Sequence, residues 1–247
     1  MSGSTVLLVD CGETPMDLLV ARLQRLRHRV VRVKTPADAY VALSNATLGI
    51  GAAVLPIDAP VASLGGAVAK LREVASEPTL AMLATGPRPG MTTQGELERA
   101  GIDFALYEPM DAHALRFQMN RALAWRHSSR ARRTTRAPST AVVRVRAGRR
   151  TREGRLYTLS PGGCYVAVPT PWLRGTGLKL EIEWENGSRI KAQGQVAMTN
   201  VRGNLKKDAL PVGMGIALDR LAPSDRETIS RYVQRRLLRL DVAGSLR

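Results

Sequence analysis

Ten arginines crowd residues 130–155, at positions 130, 132, 133, 136, 144, 146, 149, 150, 152 and 155, with Glu153 the one acid among them. Every basic residue of that stretch is Arg. A guanidinium is planar and permanently charged, pairs bidentately with phosphate or a guanine edge, and stacks on flat rings. The chemistry on offer is capture of an anionic, ring-bearing partner. Two short patterns lie in this half of the chain. Arg132-Arg133-Thr134-Thr135-Arg136 presents paired guanidinium forks, and Thr158-Leu159-Ser160-Pro161-Gly162-Gly163 follows further on. Ser160 carries a hydroxyl that donates or accepts, and Gly163 carries no Cβ. Blander readings stand beside these: a solvated linker for the arginines, and a plain turn for Ser-Pro-Gly-Gly. Arg-x-x-x-Arg also recurs at Arg146 and Arg150, so that element alone singles out nothing.

The whole chain has 247 residues, 44% hydrophobic and 4% aromatic, with a formal charge of +16. Disorder and collagen-like fibres do not fit such a composition. The charge is lopsided: residues 1–129 hold 13 Lys+Arg against 12 Asp+Glu, whereas residues 130–247 hold 24 against 9. No apolar stretch approaches the roughly 18 residues of a membrane span. The start lacks a basic segment followed by an apolar core, so a secretory leader is not expected and a cytoplasmic location is. Cys11 and Cys164 are the only cysteines and form no metal spacing or disulfide framework. Paired carboxylates, a nucleophile–base set and a metal cluster are all missing from any workable frame, so the expectation is a non-enzyme without metal or cofactor.

The first half alternates strand and helix signals. Thr5–Val9, Val30–Val33, Ile50–Leu55, Leu80–Ala84 and Phe104–Tyr107 read as strands. Pro15–Arg29, Pro36–Ser44, Val61–Val74, Gln94–Ala100 and Asp111–Trp125 read as helices. That alternation predicts an α/β, flavodoxin-like, five-stranded parallel sheet covered on both faces.

Over residues 4–127 this half resembles a response-regulator receiver domain. Receivers place two adjacent acids after the first strand; here stand Asp10-Cys11. The third strand of the family ends in Asp-Ile-x-x-Pro, matched in frame by Pro56-Ile57-Asp58-Ala59-Pro60 with proline in the acceptor position. The family's Lys-Pro after the fifth strand is Glu108-Pro109, its switch aromatic is Ala105, and its fourth-strand hydroxyl corresponds to Thr85. Phosphoryl transfer onto a receiver needs a carboxylate nucleophile, a divalent metal and a cation facing the transferred oxygens. Asp58 as a shifted acceptor would displace the carboxylate by about 7 Å, at ~3.3 Å per strand residue. The resemblance therefore implies a pseudo-receiver that acts as a docking or dimerisation module for protein partners.

In the second half six strand signals follow one another: Ala141–Arg146, Gly154–Leu159, Gly163–Val168, Leu178–Glu185, Arg189–Met198 and Gly213–Leu218. Leu178, Leu180, Ile182 and Trp184 alternate with charged residues, and Asn186-Gly187 is a strong hairpin turn. A small antiparallel β-barrel is predicted. Ser224-Asp225-Arg226-Glu227 has the form of a capping box, opening a helix with Ile229, Tyr232, Val233, Leu237 and Leu240 on one face. That helix is expected to close the barrel. The boundaries are residues 1–127 for the pseudo-receiver, 128–140 for an arginine-rich linker and 141–247 for the barrel.

Residues 130–240 resemble a PilZ domain, the bacterial receptor fold for cyclic di-GMP. Its signature is Arg-x-x-x-Arg followed by Asp/Asn-x-Ser-x-x-Gly, and Thr158 stands in the Asp/Asn place. Gly213-Met214-Gly215-Ile216-Ala217-Leu218 before the final helix is also similar to the family. The resemblance implies cyclic di-GMP as ligand, with Arg132, Arg133, Arg136, Thr158, Ser160 and Gly163 as its contacts. Two phosphates and two guanines suit arginine forks that pair and stack. An arm ordered by the ligand would reset how the two domains face each other, a geometry that a protein partner reads. Two alternatives stay open. One is an adaptor of the same architecture that binds no nucleotide. The other is a salt-sensitive nucleic-acid binder, for which no helix-turn-helix, zinc finger or aromatic-interleaved motif speaks.

Overall fold

Apolar runs make four of the five strands of the first unit, because a parallel sheet covered on both faces must be apolar on both. The remaining one, Arg29–Val33, is an edge strand with two arginines and is only partly buried. The computed structural model describes residues 4–13, 15–58, 61–75, 80–124, 135–184, 187–203 and 209–242. Two compact units emerge, residues 132–237 and residues 1–131 joined by 238–247. In the first, β1 (Thr5–Val9), β2 (Arg29–Val33), β3 (Ile50–Pro56), β4 (Ala81–Pro87) and β5 (Phe104–Glu108) form a parallel sheet in the order β2-β1-β3-β4-β5. The helices are α1 (Asp17–Arg25), α2 (Pro36–Ser44), α3 (Val61–Val74), α4 (Met91–Arg99) and α5 (Ala112–Ala124). This is the flavodoxin-like strand order.

Strand alternation sorts the side chains onto two faces. Leu7, Val9, Ala53, Leu55, Met82, Ala84, Ala105 and Tyr107 join one core with Leu43, Leu64, Val68, Leu71 and Leu97 from α2, α3 and α4. Phe104 faces α5, where Arg121 lies over its ring at 5.2 Å. Helix α1 is shorter than its periodicity predicts. Five residues of β2 pair with β1, from Thr5 opposite Arg29 to Val9 opposite Val33, so the chain must reverse over 26–28. Arg27 takes φ +67 in that reversal.

The segment after Leu237 packs with this first unit. Val242 lies in the same core cluster as Tyr107. The Tyr107 hydroxyl donates to the Val242 carbonyl at 2.8 Å, and the fully buried Gln118 donates to Leu240 at 2.8 Å and to Ala105 at 2.9 Å. Arg88 donates to the carbonyls of Leu238 and Arg239, and Arg121 pairs with Asp241 at 3.1 Å.

In the second unit a two-residue strand β6 (Ala137–Pro138) precedes β7 (Val142–Ala147), β8 (Arg150–Ser160), β9 (Gly163–Ala167), β10 (Gly177–Glu183), β11 (Arg189–Asn200) and β12 (Gly213–Leu221). The antiparallel ring β8-β7-β10-β11-β12-β9 closes through pairing of β8 with β9, giving a six-stranded barrel with β6 added on β8. Inward residues such as Val143, Val145, Leu180, Ile182 and Ile190 are buried while their neighbours are exposed. Gly187 takes φ +77 in the β10–β11 hairpin, and Asn186 lies outside the described residues.

The barrel's helix, α6 (Pro223–Leu238), buries Ile229, Val233 and Leu237. Two expectations about it are corrected. Pro223 already occupies the first helical position, so Ser224 sits inside the first turn and is no cap. Proline needs no hydrogen-bond partner there and has its φ preset. Leu240 lies past the helix end and is buried in the first unit. No helix among the described residues is long and apolar enough to cross a membrane.

Candidate functional site

The arm reaches the barrel through backbone pairing. Ala137 stands opposite Leu159 and Pro138 opposite Thr158, and the Ser139 amide donates to the Tyr157 carbonyl at 3.2 Å. Tyr232 of α6 donates its hydroxyl to the Pro138 carbonyl at 3.0 Å. The sequence reads Ala137–Pro138 as the end of a linker, whereas these residues are the barrel's first strand. Continuing the register by one residue sets Arg136 beside Ser160. A Cβ built on Gly163 would lie 3.6 Å from the Arg136 Nη2 atom, so this guanidinium rests against the β8–β9 turn. Of the three arginines predicted for the site, Arg136 is the one placed here; Arg132 and Arg133 lie outside the described residues.

The turn itself is tightly built. Ser160 pairs with Gly163 across it, and the fully buried Ser160 hydroxyl donates to the Gly163 carbonyl at 2.9 Å. Its proton is thus committed to the turn, and its lone pairs are what remains for a ligand. Gly163 has a structural reason of its own: a Cβ there would meet the Ile216 carbonyl oxygen of β12 at 2.7 Å. Gly163→Ala is expected to destabilise the barrel by about 1–3 kcal/mol through overpacking, read as a lower denaturant midpoint. An unchanged midpoint would mean that β9 and β12 have room to part.

Thr158 is 7% exposed, and its side chain makes no hydrogen bond among the described residues. The β8–β9 register shifts between Leu156 and Thr158, a bulge that re-aims side chains beside the turn. Cys164 is fully buried under this corner, and burial pushes its thiol up to about 12, with the Arg136 charge pulling the other way. Arg136, Thr158, Ser160 and Gly163 therefore gather at one corner of the barrel, one cation beside two hydroxyls and a bare backbone. One contact escapes the sequence altogether. Arg152 lies 4.1 Å over the Trp172 ring and donates to the Thr170 carbonyl. Cation–π pairing between a strand and a residue of a distant loop leaves no local sequence signal.

In the first unit each acid near the strand ends already has a cation or an amide. Asp10 accepts from Arg32 at 2.5 and 2.9 Å, and Asp58 accepts the Glu13 amide at 2.9 Å. Glu108 pairs with Arg22 of α1 at 2.9 Å and also accepts the Met110 amide at 2.8 Å. Gly12 is pressed against Pro56 and Asp58 so closely that a Cβ would overlap both. Ala105 is fully buried, and the Thr85 hydroxyl points to the Leu106 carbonyl at 3.4 Å.

Residues 130–235 match the family model described as PilZ domain. A search of curated proteins gives no match. Among solved structures, the chain is similar to the Bacillus subtilis inhibitor of motility MotI/DgrA at 19% identity and TM-score 0.37, covering 44% of this chain and 52% of that one. It thus spans about half the length of that protein. It is also similar to the PilZ domain with c-di-GMP of Escherichia coli YcgR, at 15% identity and TM-score 0.36, over 44% of this chain and 92% of that one. A third is the receiver domain of the Pseudomonas aeruginosa sensor histidine kinase PA1611, at 19% identity and TM-score 0.42, over 49% and 98% of the two chains. Residues 130–235 of this chain are a PilZ domain.

Proposed function

We propose that the chain is a cyclic di-GMP effector without catalytic activity. Arg132, Arg133 and Arg136 would hold the nucleotide against the turn formed by Ser160 and Gly163, with Thr158 at its side. The observation that carries this reading is the Arg136 guanidinium resting on the Gly163 backbone, within a segment that matches the PilZ model. A guanidinium next to a bare peptide edge provides a charged fork and a close-approach surface together. Nucleotide binding would fix the arm's arginines on the barrel, and a protein partner of the pseudo-receiver would respond to that change. The acids of the first unit favour docking over phosphoryl chemistry there, because Asp10 and Glu108 are already neutralised by arginine.

Calorimetric titration of the full chain with cyclic di-GMP tests the proposal. Heat is expected with the unaltered protein and little with Arg132→Ala. A second reading, the adaptor that binds no nucleotide, is favoured by the Ser160 hydroxyl being committed to Gly163. Absence of heat in the unaltered protein selects it.

A further inference from the structure

The outer face of the barrel carries a row of cations that the nucleotide site does not use. Cross-strand register runs Thr151 (β8), Arg146 (β7), Lys179 (β10), Gln193 (β11), Arg220 (β12) without a break. Arg146 stands directly opposite Lys179, an arrangement that destabilises a sheet. The next row shows the usual solution: Glu153, Arg144, Glu181 and Lys191 alternate in sign, with Arg144 and Glu181 3.9 Å apart. In the first row Arg146, Lys179 and Arg220 are exposed and have no carboxylate partner among the described residues. Asp219 is the extra residue of a bulge between Gln193 and Gly194, so it falls outside the ladder, although it lines the same groove with Glu181 and leaves the cations in excess there.

These side chains line a groove of about 960 Å³ that continues into one of about 540 Å³. We infer that this groove is a second anion site, which takes a linear oligophosphate laid across the strands along Arg146, Lys179 and Arg220. Strands sit ~4.8 Å apart, so the row from β7 to β12 spans roughly 14 Å. That is a line of charge, which consecutive phosphates match and a single anion does not. Arg offers a fork and Lys a point charge to phosphate oxygens, and Thr151 and Gln193 offer neutral donors. No aromatic side chain lines the groove among the described residues, so bases of a single-stranded nucleic acid would find nothing to stack on.

The test titrates the full chain with sodium tripolyphosphate at low ionic strength, beside Lys179→Glu. That variant puts an acid opposite Arg146, so its unfolding temperature is expected to hold or rise while tripolyphosphate binding weakens at least tenfold. Arg231→Glu on α6 makes the same charge change elsewhere and is expected to leave binding within twofold. No binding by the unaltered chain, equal loss in both variants, or binding of a short oligothymidylate in place of tripolyphosphate would each overturn the proposal. Cyclic di-GMP affinity is expected to be untouched by Lys179→Glu, which keeps this site separate from the corner at Gly163.

Discussion

Ending the chain at Leu237 is expected to lower the unfolding temperature of the first unit by on the order of 10 °C, although every residue removed lies at the far end of the sequence. Leu240 and Val242 are each 5% exposed, and burying such side chains contributes about 1.5–3 kcal/mol apiece. Those areas are upper bounds, since the unfolded chain is partly compact. The polar contacts add less. Water would replace the Leu240 carbonyl at Gln118 and the Val242 carbonyl at Tyr107, and the partly buried Arg121–Asp241 pair adds modestly. A loss of a few kcal/mol in a unit of this size corresponds to a shift of that order. Because two units need not unfold together, amide hydrogen exchange in β5 and α5 is the sharper measurement. Exchange there is expected to accelerate while β10 and β11 stay protected; equal protection would show that the segment contributes no stability.

The Tyr107 contact has a pH signature. Only the phenol donates, and burial pushes its pKa up to about 12, with Arg88 opposing. The folded value lies above the ordinary tyrosine value near 10, so the contribution is fully present below pH ~10. It is lost as pH rises through about 12.

How much of this was legible depends on the range of the contacts. The apolar strands β1, β3, β4 and β5 and the alternating strands β7, β10 and β11 announce themselves because apolar runs and face alternation are local properties. The turn at Ser160 to Gly163 was legible too, but not its reason: only the β9–β12 pairing reveals that Gly163 has a carbonyl against it. The attachment of 238–242 to the first unit was hidden, since Gln118 and Tyr107 find partners that no periodicity links to them. Register hides the cation row in the same way. Arg146, Lys179 and Arg220 lie far apart in the chain, and only three strand pairings line them up. The misplaced capping box is a local error of another kind, where Pro223 outcompeted a pattern beginning one residue later.

Thr158→Asn and Arg136→Ala are expected to move cyclic di-GMP affinity in opposite directions by comparable amounts. A hydroxyl meets a guanine edge with one short group, whereas a carboxamide reaches further and offers a donor and an acceptor. Gaining that contact is worth about 1–3 kcal/mol, roughly a ten- to hundredfold tighter complex. The exchange costs the fold little: Thr158 gives up no side-chain hydrogen bond among the described residues, and it sits beside a bulge that already bends β8. Arg136→Ala removes a charged donor from the same corner, and hydrogen bonds to charged groups are worth about 1.5–3 kcal/mol, again ten- to hundredfold. Two measurements separate ligand contact from a structural role. Denaturant midpoints of both variants are expected to stay near that of the unaltered protein, since neither change opens a cavity in the apolar core, the usual source of a large loss. In the double variant the two effects are expected to add only if the introduced carboxamide and the Arg136 guanidinium meet different parts of the nucleotide, and to fall short of the sum if they share one guanine. Unchanged affinity in Thr158→Asn would place Thr158 off the ligand, and the corner at Gly163 would then hold the nucleotide by its arginines alone.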